Sequence, residues 1–212
     1  MRETNLTIEQ IETLLVGSSL SPFYFGQNIV VPNVDWGFLN HEADLLVMSK
    51  RRYLTEIEIK RSWSDFLADF SKEHHHYDSK LSHFYYAVPV SIAQKVFDWL
   101  YEGELDIRRF YSKSKVTGYT EHNPLKCGLI VYIDDKSMWC GHGCNITVSA
   151  QRIGNYKVTE EEEHQLLRLL GMRIWKLKTT VSKFQTKKVK RKLDVLPKGI
   201  IESYNKSEEV IL

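Results

Sequence analysis

Apolar residues fall at helical spacing near the start of the chain, where Ile8, Ile11 and Leu15 share one side. Glu12 sits among them on that apolar side, whereas Glu9 points away. The period then drops to two. Residues 43–48 and 53–59 read as the arms of a hairpin joined by Lys50-Arg51-Arg52, and alternation along the second arm sends Ile57 and Ile59 to one face and Glu56, Glu58 and Lys60 to the other. A helix signal follows, with Ser64 as N-cap, Asp65 in the first turn, and Phe66, Leu67 and Phe70 as its apolar stripe. Residues 83–88 form an apolar strand ended by Pro89. Residues 91–101 return to helical spacing through Ile92, Val96, Trp99 and Leu100, and Gly103 ends that region. Residues 128–133 and 145–149 read as strands, with a turn-like Asp134-Asp-Lys-Ser137 after the first. Thr159 then caps a helix that opens on four glutamates and buries Leu166, Leu167, Leu169, Leu170 and Ile174. Strands interspersed with helices predict an α/β domain with a mixed central sheet.

The hairpin places chemistry. If its turn is centred on Arg51, Asp44 lies directly opposite Glu58, with Cβ atoms roughly 4.5 to 5.5 Å apart. Two carboxylates that close repel unless a cation lies between them. Magnesium suits such a pair, because it takes oxygen ligands, keeps several waters, and is commonly held by one or two carboxylates plus substrate phosphate oxygens. Lys60, two residues beyond Glu58, is roughly 6.6 Å further along the strand, within reach of a bound water or a scissile phosphate. Glu42 and Glu56 are candidates to support these ligands from behind. A solvated hairpin face, with Glu and Lys alternating, is the competing reading.

Asp44 followed by Glu58-Ile-Lys60 resembles the PD-(D/E)XK nuclease superfamily, with Ala43 where the family name has proline. The wording Glu42-Ala-Asp44, Glu58-Ile-Lys60-Arg-Ser62, Asp65-Phe-Leu-Ala-Asp69 and Phe84-Tyr-Tyr-Ala-Val-Pro89 is similar to the MmcB-like DNA-repair branch, over roughly residues 40 to 90. The resemblance implies a restriction-endonuclease-like fold, with a helix, strand, strand, helix, strand order. It implies Mg²⁺ or Mn²⁺ held by Asp44, Glu58 and the Ile59 carbonyl, with Glu12 of the first helix as a possible further ligand. Asp44, Glu58 and Lys60 would then be the catalytic group, Lys60 positioning water, and Lys72 a phosphate contact. The implied activity is hydrolysis of DNA phosphodiester bonds in repair or recombination, and many relatives that cut junctions or duplexes act as homodimers.

Composition adds a size and an asymmetry. With 212 residues, 42% of them hydrophobic, the chain can bury one sizeable core. The 29 basic and 27 acidic residues are unevenly spread: 10 and 4 of them fall in residues 176–212, which leaves that segment at +6 and the first 175 residues at −4. Lys183, Lys187, Lys188, Lys190, Arg191 and Lys192 lie in a run free of acids, interleaved with Phe184 and Val189, and read as a nucleic-acid contact on a basic tail. A solvated, partly disordered tail is the alternative. The boundaries expected are a nuclease-like domain over residues 1–177 and that tail over 178–212. No apolar run is long enough to span a membrane, and three cysteines point to a reducing cytoplasm rather than a disulfide framework.

Two clusters invite other readings. Cys127, Cys140, His142 and Cys144 offer four ligands to a structural zinc, although the glycines between them equally mark a turn. His74, His75 and His76 are consecutive, so on a helix they diverge by about 100° each and cannot share one ion. His76 would lie on the side of Asp65, Asp69 and Lys72. A zinc-stabilised interaction module and a catalytically inactive DNA-binding scaffold are therefore the alternatives to a nuclease.

Overall fold

The computed structural model describes residues 4–34, 37–71, 76–107, 113–133 and 143–193, the side chains of 185–193 excepted. A six-stranded mixed sheet runs in the order β1-β2-β3-β4-β7-β8. Its strands are β1 (Ile29–Val34), β2 (Ala43–Met48), β3 (Leu54–Ile59), β4 (Leu81–Pro89), β7 (Gly128–Tyr132) and β8 (Cys144–Val148). β1, β2 and β3 form an antiparallel meander, β3, β4 and β7 are parallel, and β8 returns antiparallel to β7. The parallel joins are made through α2 (Trp63–Asp69) and α3 (Val90–Leu100), as parallel neighbours require. The fold is α/β, and its first elements run α1 (Ile8–Val16), β1, β2, β3, α2, β4. One strand, β1, is added to the expected order.

Both faces of the sheet are covered, which is why β7 and residues 84–89 of β4 read as unbroken apolar runs instead of alternating. One face buries Ile11 and Leu15 of α1 against Leu45, Val47, Ile57, Ile59, Ala87 and Ile130. The other packs Phe66, Ile92, Val96 and Phe97 against Phe84, Tyr86, Val88, Leu129 and Val131. Burying these six helix side chains at roughly 1.5 to 3 kcal/mol each makes α1, α2 and α3 fixed platforms rather than frayed ends. α1 is further held by a capping box between Thr7 and Gln10.

Three sequence expectations change. The cap of α2 is Ser62, not Ser64: Ser62 has extended backbone and accepts from the Asp65 amide at 3.1 Å, so the helix starts a residue before Ser64. Ser64 instead pairs with the Ser62 hydroxyl at 3.0 Å. α2 ends at Asp69, and His76 is therefore not on it. Gly103 does not end a helix but sits in β5 (Tyr101–Glu104), paired with β6 (Lys115–Tyr119) in a two-stranded sheet. At its φ of +137°, a side chain would be strained and would strike the Lys115 carbonyl oxygen.

The chain forms two contact units, residues 1–170 and 171–212. Helix α4 (Glu160–Leu193) begins in the first unit, where Thr159 caps it, Leu166 is buried, and Glu162 pairs with Lys80 at 2.9 Å. It continues without a break through residue 178 to Leu193. No helix among the described residues is long and apolar enough to cross a membrane.

Candidate functional site

The site begins with the β2–β3 register. Leu45 pairs with Ile57 and Leu46 with Glu56, so the ladder is symmetric about Arg51, and Leu45–Ile57 is its last pair before Asp44. The tight turn depends on Arg52, whose φ of +63° is left-handed and whose amide donates to the Ser49 carbonyl at 2.8 Å. Asp44 is fixed further: its Oδ2 accepts from the Ile59 amide at 2.8 Å. Parity does the rest. Glu56, Glu58 and Lys60 project together towards α2, alongside Phe84 and Tyr86 of the parallel neighbour β4.

Around them runs a continuous chain of buried polar contacts. Lys60 Nζ donates to Glu58 Oε1 at 2.9 Å and to Asp69 Oδ1 at 2.8 Å. Asp69 Oδ2 lies 2.6 Å from His76 Nε2 and accepts from the Tyr86 hydroxyl at 3.0 Å. His76 Nδ1 then meets Glu56 Oε1 at 2.7 Å, and Glu56 Oε2 meets His41 Nε2 at 2.7 Å. Glu58 and Lys60 are only 5% and 3% exposed, and Glu56 is fully buried. Asp44 and Glu12 are partly exposed, so the carboxylate end of the network meets solvent while the lysine end is sealed.

Protonation follows from this geometry. Burial raises Glu58 to about 7 against the pull of Lys60, and the negative charge of Asp44 adds to the rise. Glu12 also rises to about 7, from burial and from the charges of Glu9 and Asp44, which brings Glu12 into the field of Asp44. Burial opposes the charge on Lys60, but Glu58 and Asp69 together hold it up at about 12. Burial likewise disfavours charged His76, yet its bonds to Asp69 and Glu56 lift it to about 10. Asp69 goes the other way: burial would raise it, and the His76 and Lys60 contacts hold it far below the usual range.

A stability profile with a defined sign follows. A carboxyl raised from 4.5 to about 7 on folding gives stability that is fully present below pH 4.5 and is lost as pH rises to about 7. Metal-free protein should therefore lose melting temperature between about pH 5 and 8 in thermal scans, and Glu12→Gln should flatten the loss. An unchanged slope in that variant would show that Glu12 is not held in the carboxylate cluster.

The chain matches no protein-family model and no curated protein. A solved structure with similarity to it is the SPO1766 protein of unknown function from Silicibacter pomeroyi, 12% identical over 76% of this chain and 84% of that chain, with a TM-score of 0.45.

Of the residues singled out from sequence, Asp44, Glu58, Ile59 and Lys60 meet at one end of the hairpin, with Glu12 close enough to feel Asp44. Glu42 is exposed and apart, whereas Glu56 is central. Lys72, His74 and His75 lie outside the described residues, as do Cys140 and His142 and the side chains of Lys187, Lys188, Lys190, Arg191 and Lys192. Lys183 is exposed on α4. The four-ligand zinc set fails on geometry. Cys144 pairs with Tyr132 at one end of β7, while Cys127 precedes Gly128 at the other, about 16 Å away along the strand. Burial also pushes both thiols up, to about 12 and about 11.

His41 and Tyr86 emerge only in three dimensions, and His76, expected beside Asp69 on one helix, reaches it from beyond the end of α2. The signal in the sequence was Glu56 itself: an acid in a strand with neighbours on both sides needs buried partners.

Proposed function

We propose that the chain is a divalent-metal-dependent nuclease that hydrolyses DNA phosphodiester bonds. One observation carries this: Asp44 accepts from the amide of Ile59, the residue after Glu58, and Lys60 touches Glu58 from the same strand face. The donors fit Mg²⁺ or Mn²⁺, being hard oxygens from Asp44, Glu58, the Ile59 carbonyl and Glu12 at the solvent-facing end. Such an ion lowers the pKa of a bound water and polarises the phosphoryl oxygen. Lys60 stays an ammonium at neutral pH, so its work is to orient water and offset phosphate charge, not to take a proton. Asp69, braced by His76 and Tyr86, aims Lys60.

Incubation of the purified chain with single-stranded, duplex, flap and junction DNA in Mg²⁺ or Mn²⁺ tests the reading. Cleavage of at least one form that chelator stops and metal restores is the expected result. Cleavage of none favours a non-catalytic DNA-binding role, a reading helped by the near-complete burial of Glu58 and Lys60.

The basic helix beyond Gly171 supports DNA as the partner. Lys183 and the run to Lys192 would meet phosphates, and exposed Trp175 and Phe184 offer faces for stacking. Neutralising Lys187, Lys188 and Lys190 to Gln should reduce the slope of log K against log salt by up to about 3 for duplex DNA. An unchanged slope would remove the helix from the interface.

A further inference from the structure

A second set of metal donors lies beside the carboxylates: His41, Glu56 and His76 are all buried and their ligand atoms converge within 4.8 Å. His41 Nε2 and His76 Nδ1 each lie 2.7 Å from one oxygen of Glu56. The opposite nitrogen of each ring also faces an acceptor, Asn40 Oδ1 at 2.7 Å from His41 Nδ1 and Asp69 Oδ2 at 2.6 Å from His76 Nε2. The Asn40 amide cannot be turned over, because its Nδ2 donates to the Tyr77 carbonyl at 2.8 Å. A neutral imidazole has one N–H and one bare lone pair. Four contacts around two rings whose centres are 5.1 Å apart call for four protons, two more than two neutral imidazoles supply, whereas a cation seated between the rings and Glu56 leaves each ring one outward N–H to donate.

We propose that His41, Glu56 and His76 bind a structural zinc ion. Both rings are then neutral, their inward nitrogens ligate, and their outward N–H groups donate to Asn40 and Asp69. That is the outer pattern metal-bound histidines keep, a carbonyl or carboxylate on the second nitrogen. The ligand atoms lie within 4.8 Å of one another, and the two oxygens of Glu56 bring the donors to four, the number structural zinc takes. Imidazole nitrogens select zinc over magnesium. The residues are 4%, 0% and 5% exposed, so the site is closed and the ion's role is to pin together the segment before β2, strand β3 and the segment before β4. Through His76 and Asp69 it also steadies Lys60. None of this rests on the nuclease reading.

The test is metal analysis of the full chain, stripped with chelator, reloaded with Zn²⁺ and freed of excess by gel filtration. The expected content is about one zinc per chain, retained in millimolar Mg²⁺. His41→Ala and Glu56→Gln should each lower retention at least about tenfold. Cys144→Ser and Cys140→Ser should not, and Asp44→Asn should keep zinc even where it removes cleavage. Wild type that retains no zinc, or loses it with the cysteines, overturns the proposal. Should His41→Ala not fold, Co²⁺ loading of wild type still decides: a four-coordinate visible band without a sulfur-to-metal transition supports the site, and no band, or a sulfur band, refutes it.

Discussion

Replacing Lys60 with Met should lower the melting temperature of the chain by about 10 °C. The side chain is almost fully buried, and its ammonium lies 2.9 Å from Glu58 and 2.8 Å from Asp69. Met fills the volume of the stem but leaves two desolvated carboxyls facing each other. Removing one partner of a buried ion pair costs about 3 to 5 kcal/mol, because the remaining charge is stranded. Asp69 keeps His76 and Tyr86, whereas Glu58 is already displaced to about 7 and takes up a proton as part of the relief. At about 2 to 4 °C per kcal/mol for a domain of this size, the shift is large enough to read by circular dichroism. Adding Asp69→Asn should recover part of it, since the two residues share one network and their effects do not add. A shift below about 2 °C would mean that the network is solvated and the burial of Lys60 incidental.

How much of this was legible in the sequence depends on how local the cause is. Alternation along β3 and a three-residue turn suffice to bring Asp44 to the Glu58–Ile59 end of β3, because hairpin register is a local property, and the ladder keeps the expected register from Met48–Leu54 to Leu45–Ile57. The helix that presents Glu12 is likewise written in its own spacing. β1 escaped because Pro32 and Asn33 break its pattern, and Asn33 takes a φ of +51° that no strand propensity anticipates. β5 and β6 escaped because Gly103 serves a bulge that only its partner strand explains. His41 and His76 come from segments 35 residues apart, and nothing local to either indicates that Glu56 brings them together. Glu56 was visible as an acid on the right face, but its burial is fixed by β4, a strand supplied from further along the chain.

The same locality makes Asp44 the best place to test function apart from folding. Asn at position 44 keeps an oxygen to accept from the Ile59 amide, so the hairpin corner is preserved. What is lost is one negative charge at the solvent-facing end, where a divalent cation would be held. Loss of a metal ligand costs the transition state several kcal/mol, and roughly 3 kcal/mol is already more than a hundredfold in rate. The melting temperature should move little, and in the metal-free state upwards, since repulsion with Glu58 and Glu12 is relieved.

The decisive measurement is therefore the Mg²⁺-dependent cleavage rate of the best DNA form for wild type and for Asp44→Asn, with thermal scans of both. The predicted result is a loss of at least about a hundredfold in the variant, with its stability intact. Equal rates in the two proteins would contradict the account, because a carboxylate that can be neutralised without consequence is not holding the ion.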